Sequence, residues 1–107
     1  MDDTPQEVYV DAHTIRQRFR TLGILAQLGR GELGSEIRQD RAALPERGQP
    51  AGTRSQIVFY KQGDTLVAVV HQYLLPDGRI GASGLPDPKW LRDGDRILKY
   101  RPPTLDG

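Results

Sequence analysis

Ser55–Leu91, SQIVFYKQGDTLVAVVHQYLLPDGRIGASGLPDPKWL, carries the strongest strand signal in the chain and its two clearest hairpin turns. A two-residue loop at Gln62-Gly63 would pair Tyr60 with Thr65, Phe59 with Leu66 and Ile57 with Ala68. Leu75-Pro76-Asp77-Gly78-Arg79 reads as a type I turn: Pro presets φ at its second position, and Gly takes the left-handed position that follows. That turn sets Leu74 opposite Ile80, Gln72 opposite Ala82 and His71 opposite Ser83. Side chains alternate across a strand, so this register sorts the residues onto two faces. Ile57, Phe59, Leu66, Ala68, Val70, Leu74, Ile80 and Ala82 form the expected core face, with Gln72 its only polar member. Tyr60, Thr65, Val67, Val69, His71, Tyr73, Arg79 and Ser83 form the other, an apolar centre rimmed by aromatic, hydroxyl and basic groups. Such a face needs a partner.

Upstream, Glu7–Val10 reads as a short strand or extended lead-in, and Asp11 or Thr14 as the cap of a helix. From His13 to Leu28 the apolar residues Ile15, Phe19, Leu22, Leu25, Ala26 and Leu28 recur every three or four positions, which predicts an amphipathic helix. Gly23 weakens it by about 1 kcal/mol relative to Ala. Gly29, Gly31 and Gly34 end it, and Ser35 is placed to cap a second helix from Glu36 to Leu44 that Pro45 closes. ERGQPAGTR, residues 46–54, has the low hydrophobicity and the Gly and Pro content of an exposed connector. Trp90–Arg92 and Arg96–Tyr100 flank Asp93-Gly94, the turn signal of a third hairpin. The expected organisation is a single domain over 1–107: a helical half (1–45), the connector (46–54), an antiparallel sheet (55–101) and a tail (102–107). Its fold class is α+β, with two N-terminal helices packed on one face of a three- to five-stranded antiparallel β-meander.

A chain of 107 residues buries roughly two-thirds of the surface its unfolded form exposes, enough for one modest core. No apolar run approaches the eighteen or so residues of a membrane span. The acidic start, MDDTPQEVYV, lacks the layout of a secretory signal, so a cytoplasmic location is expected. The absence of cysteine removes disulfides, thiolate ligands and cysteine nucleophiles. His13 and His71 sit in no metal-ligand spacing, so neither metal nor cofactor is expected. A net charge of +1 offers nucleic acid no strong overall field, and any such contact must come from a local patch.

Three groups of residues are candidates for chemistry or recognition. His71 opposite Ser83 is the first half of a nucleophile arrangement; no G-x-S-x-G elbow completes it, and Asp87 as the orienting acid is a guess. The bland alternative is a half-buried sheet histidine. Tyr60, Lys61, His71, Tyr73 and Arg79 could cooperate on RNA, rings stacking on bases and cations holding phosphates. Equally, tyrosines fill the rims of many sheets. Arg16, Arg18 and Arg20 put three cations in the first helix, and the ordinary reading of such a run is a solvated face.

The order of short strand, two helices and an antiparallel meander carrying IVFYKQGDTLVAVVHQYL resembles the RelE/ParE superfamily of small bacterial toxins over about Glu7 to Leu75. The resemblance implies a metal-independent, ribosome-dependent ribonuclease, for which His71, Arg79, Tyr73 and Lys61 are the catalytic candidates, or an inhibitor of a nucleic-acid process. GASGLPDPKWL and the third hairpin lie outside that pattern, and the basic excess of such toxins is missing. The leading expectation is therefore a non-enzymatic interaction module. It would bind a protein partner, or a second copy of itself, through Tyr60, His71, Tyr73, Arg79, Ser83 and Trp90, with RNA as the alternative partner.

Overall fold

The chain forms an α+β domain in which two helices pack on a six-stranded, mostly antiparallel sheet. The computed structural model describes residues 4–103. Its elements in chain order are β1 (Gln6–Val10), α1 (Ala12–Thr21), α2 (Ile24–Gly29), β2 (Gly34–Ala42), β3 (Arg54–Gln62), β4 (Thr65–Leu74), β5 (Asp87–Asp93) and β6 (Arg96–Tyr100), with one 3-10 turn over Pro45–Arg47. The strands lie in the order β1-β6-β5-β4-β3-β2, and only β1, parallel to β6, departs from antiparallel pairing. Six strands thus exceed the three to five expected.

The helical half is smaller than the sequence pattern suggests. Asp11 caps α1 by accepting from the Thr14 backbone amide at 2.8 Å. The stripe does not run on to Leu28 as one helix: Gly23 sits at φ +67°, a left-handed conformation that ends α1 at Leu22 and restarts the chain as α2. Of the expected stripe Ile15 and Phe19 are buried, Leu22, Leu25 and Leu28 are half-buried and Ala26 is exposed, while Ile24, outside that stripe, is buried.

The predicted second helix over 36–44 is instead the edge strand β2, antiparallel to β3. GSEIRQDRA has no apolar stripe to hold a helix against the sheet, whereas the open edge of β3 offers backbone donors and acceptors that need partners. All nine residues of β2 are exposed, so strand pairing rather than side-chain burial positions it. Residues 46–54 are not uniformly an exposed connector either, because Thr53 is buried and Arg54 opens β3.

The β3–β4 hairpin turns at Gly63-Asp64, with Gln62 opposite Thr65, not at Gln62-Gly63. Gly63 supplies the positive φ, +59°, needed at the first loop position. A bulge opposite the Tyr60-Lys61 step, with Val67 the extra residue of β4, then shifts the register once more, setting Tyr60 opposite Ala68 and Val58 opposite Val70. The consequence is that β3 turns its other face to the core. Val58 and Tyr60 are buried with Ala68, Val70, Leu91 and Leu98 against Ile15 and Phe19, while Ile57 and Phe59 lie on the opposite side.

The turn at Leu75–Arg79 forms as read, with Gly78 at φ +90° and a bridge between Leu74 and Ile80. The chain does not continue pairing, so Gln72 opposite Ala82 and His71 opposite Ser83 do not occur. Prolines 86 and 88 and the Gly81–Gly84 turn interrupt the ladder, and β4 takes β5 as its neighbour, with His71 opposite Asp87. The β5–β6 hairpin turns on Gly94-Asp95, beside the expected Asp93-Gly94 signal.

The molecule measures 51 × 45 × 22 Å. Its least dimension matches one sheet and one helical layer, since packed layers lie about 10 Å apart. The sheet therefore has one covered face and one free of helix.

Candidate functional site

The helix-free face follows from the register. β3 contributes Ser55, Ile57, Phe59 and Lys61; β4 contributes Val69, His71 and Tyr73, while Val67, unpaired in the bulge, packs against the core; β5 and β6 contribute Trp90, Arg92, Ile97 and Lys99. Ile57, Phe59, Val69 and Trp90 are half-buried although no helix covers them. β1 and β2 complete the rim with Glu7, Tyr9, Glu36, Arg38 and Arg41.

Guanidinium groups lie on the rings of this face. Arg38 lies 4.8 Å from the Phe59 ring centroid, Arg92 5.6 Å from that of Trp90 and Arg101 4.0 Å from that of Tyr9. Each cation meets the negative face of a ring quadrupole, which holds a long side chain flat over apolar surface. Arg92 is further fixed by donating through Nε to the Leu66 carbonyl at 2.9 Å. Among the described residues, six cations (Arg38, Arg41, Lys61, Arg92, Lys99 and Arg101) share the face with two carboxylates. Glu36 pairs with Lys61 and Arg38, and Glu7 with Lys99. The face is positive even though the chain is nearly neutral.

His71 finds a serine, but a different one from that expected. Its Nε2 lies 2.8 Å from the Ser55 hydroxyl, and its ring meets that of Tyr73 edge-on at 4.7 Å between centroids. Burial, followed by the nearby Lys89 ammonium, pushes the imidazole below its ordinary value, with Asp87 opposing the shift. The neutral ring then accepts from Ser55 through Nε2 when Nδ1 carries the proton. A triad would need a carboxylate on Nδ1. Asp87, opposite His71, is bound to Arg16 Nε at 2.7 Å, Arg16 Nη2 at 3.1 Å and Lys89 Nζ at 3.0 Å. Burial opposes ionisation of Asp87, and these two cations outweigh it, leaving the carboxyl below the usual carboxylate value. The Asp87 charge is spent on the α1–β5 contact.

The structure brings His71, Tyr73 and Trp90 to one face and separates the other candidates. Tyr60 is in the core at 3% exposure, because the bulge after it reverses β3; burial also raises its phenol above the ordinary value. Lys61 stands opposite Leu66, five positions from His71 along β4, or about 17 Å at the usual strand rise. Arg79 sits in the exposed Leu75–Arg79 turn, ion-paired with Asp77 at 2.7 Å. Ser83 is on the β4–β5 loop, engaged with the Leu85 backbone at 3.4 Å. The ribonuclease set His71, Arg79, Tyr73 and Lys61 is not assembled at one place. Sequence reasoning missed Ser55, Phe59, Arg38 and Arg92. The i, i+2 spacing of Trp90 and Arg92 is visible in the chain, whereas Arg38 over Phe59 depends on a β2 that has no strand pattern.

A second concave feature lies on the helical side, between α1, α2 and the β4–β5 loop. It encloses about 550 Å³ and is lined by Arg16, Phe19 and Arg20 of α1, by Gly23–Ala26, by His71–Tyr73 and by Gly81–Ser83 and Leu85–Pro88. Beneath it Gln72 donates to the buried Gln56 at 2.9 Å. Its wall holds Ala82 at φ +56°, the one described residue other than glycine in the left-handed region.

No protein-family model, curated protein or solved structure matches the chain. Among the described residues, no helix is long and apolar enough to cross a membrane.

Proposed function

We propose that this protein is a small binding module whose helix-free sheet face docks a protein segment carrying both apolar and acidic side chains. The observation that carries this reading is the half-buried strip of Ile57, Phe59, Val69 and Trp90, with Arg38 and Arg92 laid over its rings. Aromatic and arginine side chains around a desolvated centre are the composition of interface hot spots. The cation excess selects the partner's sign. A second copy of the chain would bring the same excess, and like charges facing each other cost affinity. RNA would answer the charge, but its bases would have to displace the guanidinium groups already stacked on Phe59 and Trp90.

Selection from a random peptide display library against the intact protein tests this. Selected peptides should mix Asp or Glu with Leu, Phe or Trp, weaken at high salt, and lose affinity about tenfold or more on Trp90→Ala or Arg92→Glu. Binders indifferent to both changes would overturn the reading, as would tighter binding of U-rich single-stranded RNA or a face-to-face dimer in light scattering.

A further inference from the structure

The pocket beside α2 lies on the helical side of the sheet; His71 and Tyr73 border it, but none of Ile57, Phe59, Val69 and Trp90 does. Its walls are apolar on three sides: Phe19 from α1, Ile24 and Leu25 from α2, and Leu85 and Pro86 from the β4–β5 loop. A volume of about 550 Å³ falls within the range of small-molecule sites, which are mostly apolar with a few placed polar groups. The charged groups here are Arg16, Arg20 and Asp87, with His71, Gln72, Tyr73 and Ser83 as the other polar ones. Arg16 is neutralised by its two-point contact with Asp87. Arg20, one helical turn further on, is exposed, and its guanidinium has no ion-pair or hydrogen-bond partner among the described residues. The mouth of an apolar pocket therefore carries one uncompensated positive charge.

Two backbone features shape the cavity. Gly23 in its left-handed conformation breaks the helix axis where the pocket begins, so α2 stands away from the α1 line. Across the opening, Ala82 holds a conformation that an L-residue adopts at a cost. Strain retained in the wall of a cavity is a recognised mark of ligand sites.

We infer that this pocket binds a small amphipathic carboxylate, its apolar body seated among Phe19, Ile24, Leu25 and Leu85 and its carboxylate paired with Arg20. The acid and the body are both required. An uncharged molecule leaves Arg20 unanswered, and a small hydrophilic anion leaves the walls wet.

Amide chemical-shift titration of the full chain with 2-naphthoate and with its uncharged analogue 2-naphthamide tests the assignment. The carboxylate should move the amides of Gly23–Ala26 and Gly81–Asp87 and bind about fivefold more tightly than the amide, the order expected for one partly exposed ion pair. Arg20→Gln, at an exposed position, should bring the two affinities together without moving the unfolding midpoint. Leu25→Ala should weaken both ligands alike. Equal binding of acid and amide to the parent chain would overturn the acid specificity and leave a slot for a neutral apolar group. Shifts confined to Ile57, Phe59, Val69 and Trp90, or no shifts, would overturn the site itself.

Discussion

The two faces of β4 differ by one residue in sequence and entirely in what covers them. Ala68 and Val70 point to the helices and are completely buried, while Val69, His71 and Tyr73 point away and remain half-buried. Both sets are apolar enough to be core. Helices α1 and α2 have one stripe between them, and a single helical layer closes only one side of a sheet. Cations shield part of this unclosed apolar face, Arg38, Arg92 and Arg101 lying over Phe59, Trp90 and Tyr9.

The contrast can be broken most forcefully by truncation on each side. Leu91→Ala, at a site with no exposure between Ala68 and Leu98, should cost about 3 kcal/mol in urea unfolding, a cavity-forming change in a packed core. Val69→Ala, on the other side of the same sheet, should cost under about 1 kcal/mol, because that face already meets water. Equal losses would mean that the helix-free face is as tightly packed as the core.

A smaller effect separates the faces by pH. The lowered His71 value means that the unfolded chain binds a proton more readily than the folded one. The stability tied to the neutral ring is therefore complete above the ordinary histidine value of 6.5 and declines as pH falls below it toward the folded value. Urea midpoints at pH 7.5 and 5 should show the parent losing more stability on acidification than His71→Gln. A variant that tracks the parent would place His71 in water instead of against Ser55 and Tyr73.

The smallest expected effect concerns the pocket wall. Ala82→Gly removes the side chain from a left-handed position, and should stabilise the fold by about 0.5 kcal/mol after the added flexibility of the unfolded chain is set against the relieved strain. A loss of stability would show that the Ala82 methyl packs usefully where it stands.

Much of the scaffold was legible from residues alone. Alternation over Ile57–Tyr73 and the punctuation of Pro76-Asp77-Gly78 and Asp93-Gly94 marked the central hairpins, and Asp11 marked the start of α1. What failed was decided by tertiary partners. GSEIRQDRA has the composition of a solvated helix and is a strand only because β3 has an open edge. The parallel pairing of β1 with β6 joins the two ends of the chain, beyond the reach of any local pattern. The single bulge after Tyr60 reversed β3, moving Tyr60 into the core and bringing Phe59 out, and so altered the candidate site more than any misread helix. His71, Tyr73 and Trp90 survived because their side of β4 and β5 does not depend on that bulge.

The central claim is that the helix-free face is the docking surface and that its positive charge selects the partner. The most direct measurement is the affinity of a library-selected acidic, apolar peptide for the parent and for the Arg38→Glu, Arg92→Glu double variant, with amide shifts recorded on both. The account predicts shifts at Ile57, Phe59, Val69 and Trp90 in the parent, and a loss of affinity of more than about tenfold in the double variant with the fold intact. Undiminished affinity in the double variant, or shifts elsewhere on the molecule, would contradict it.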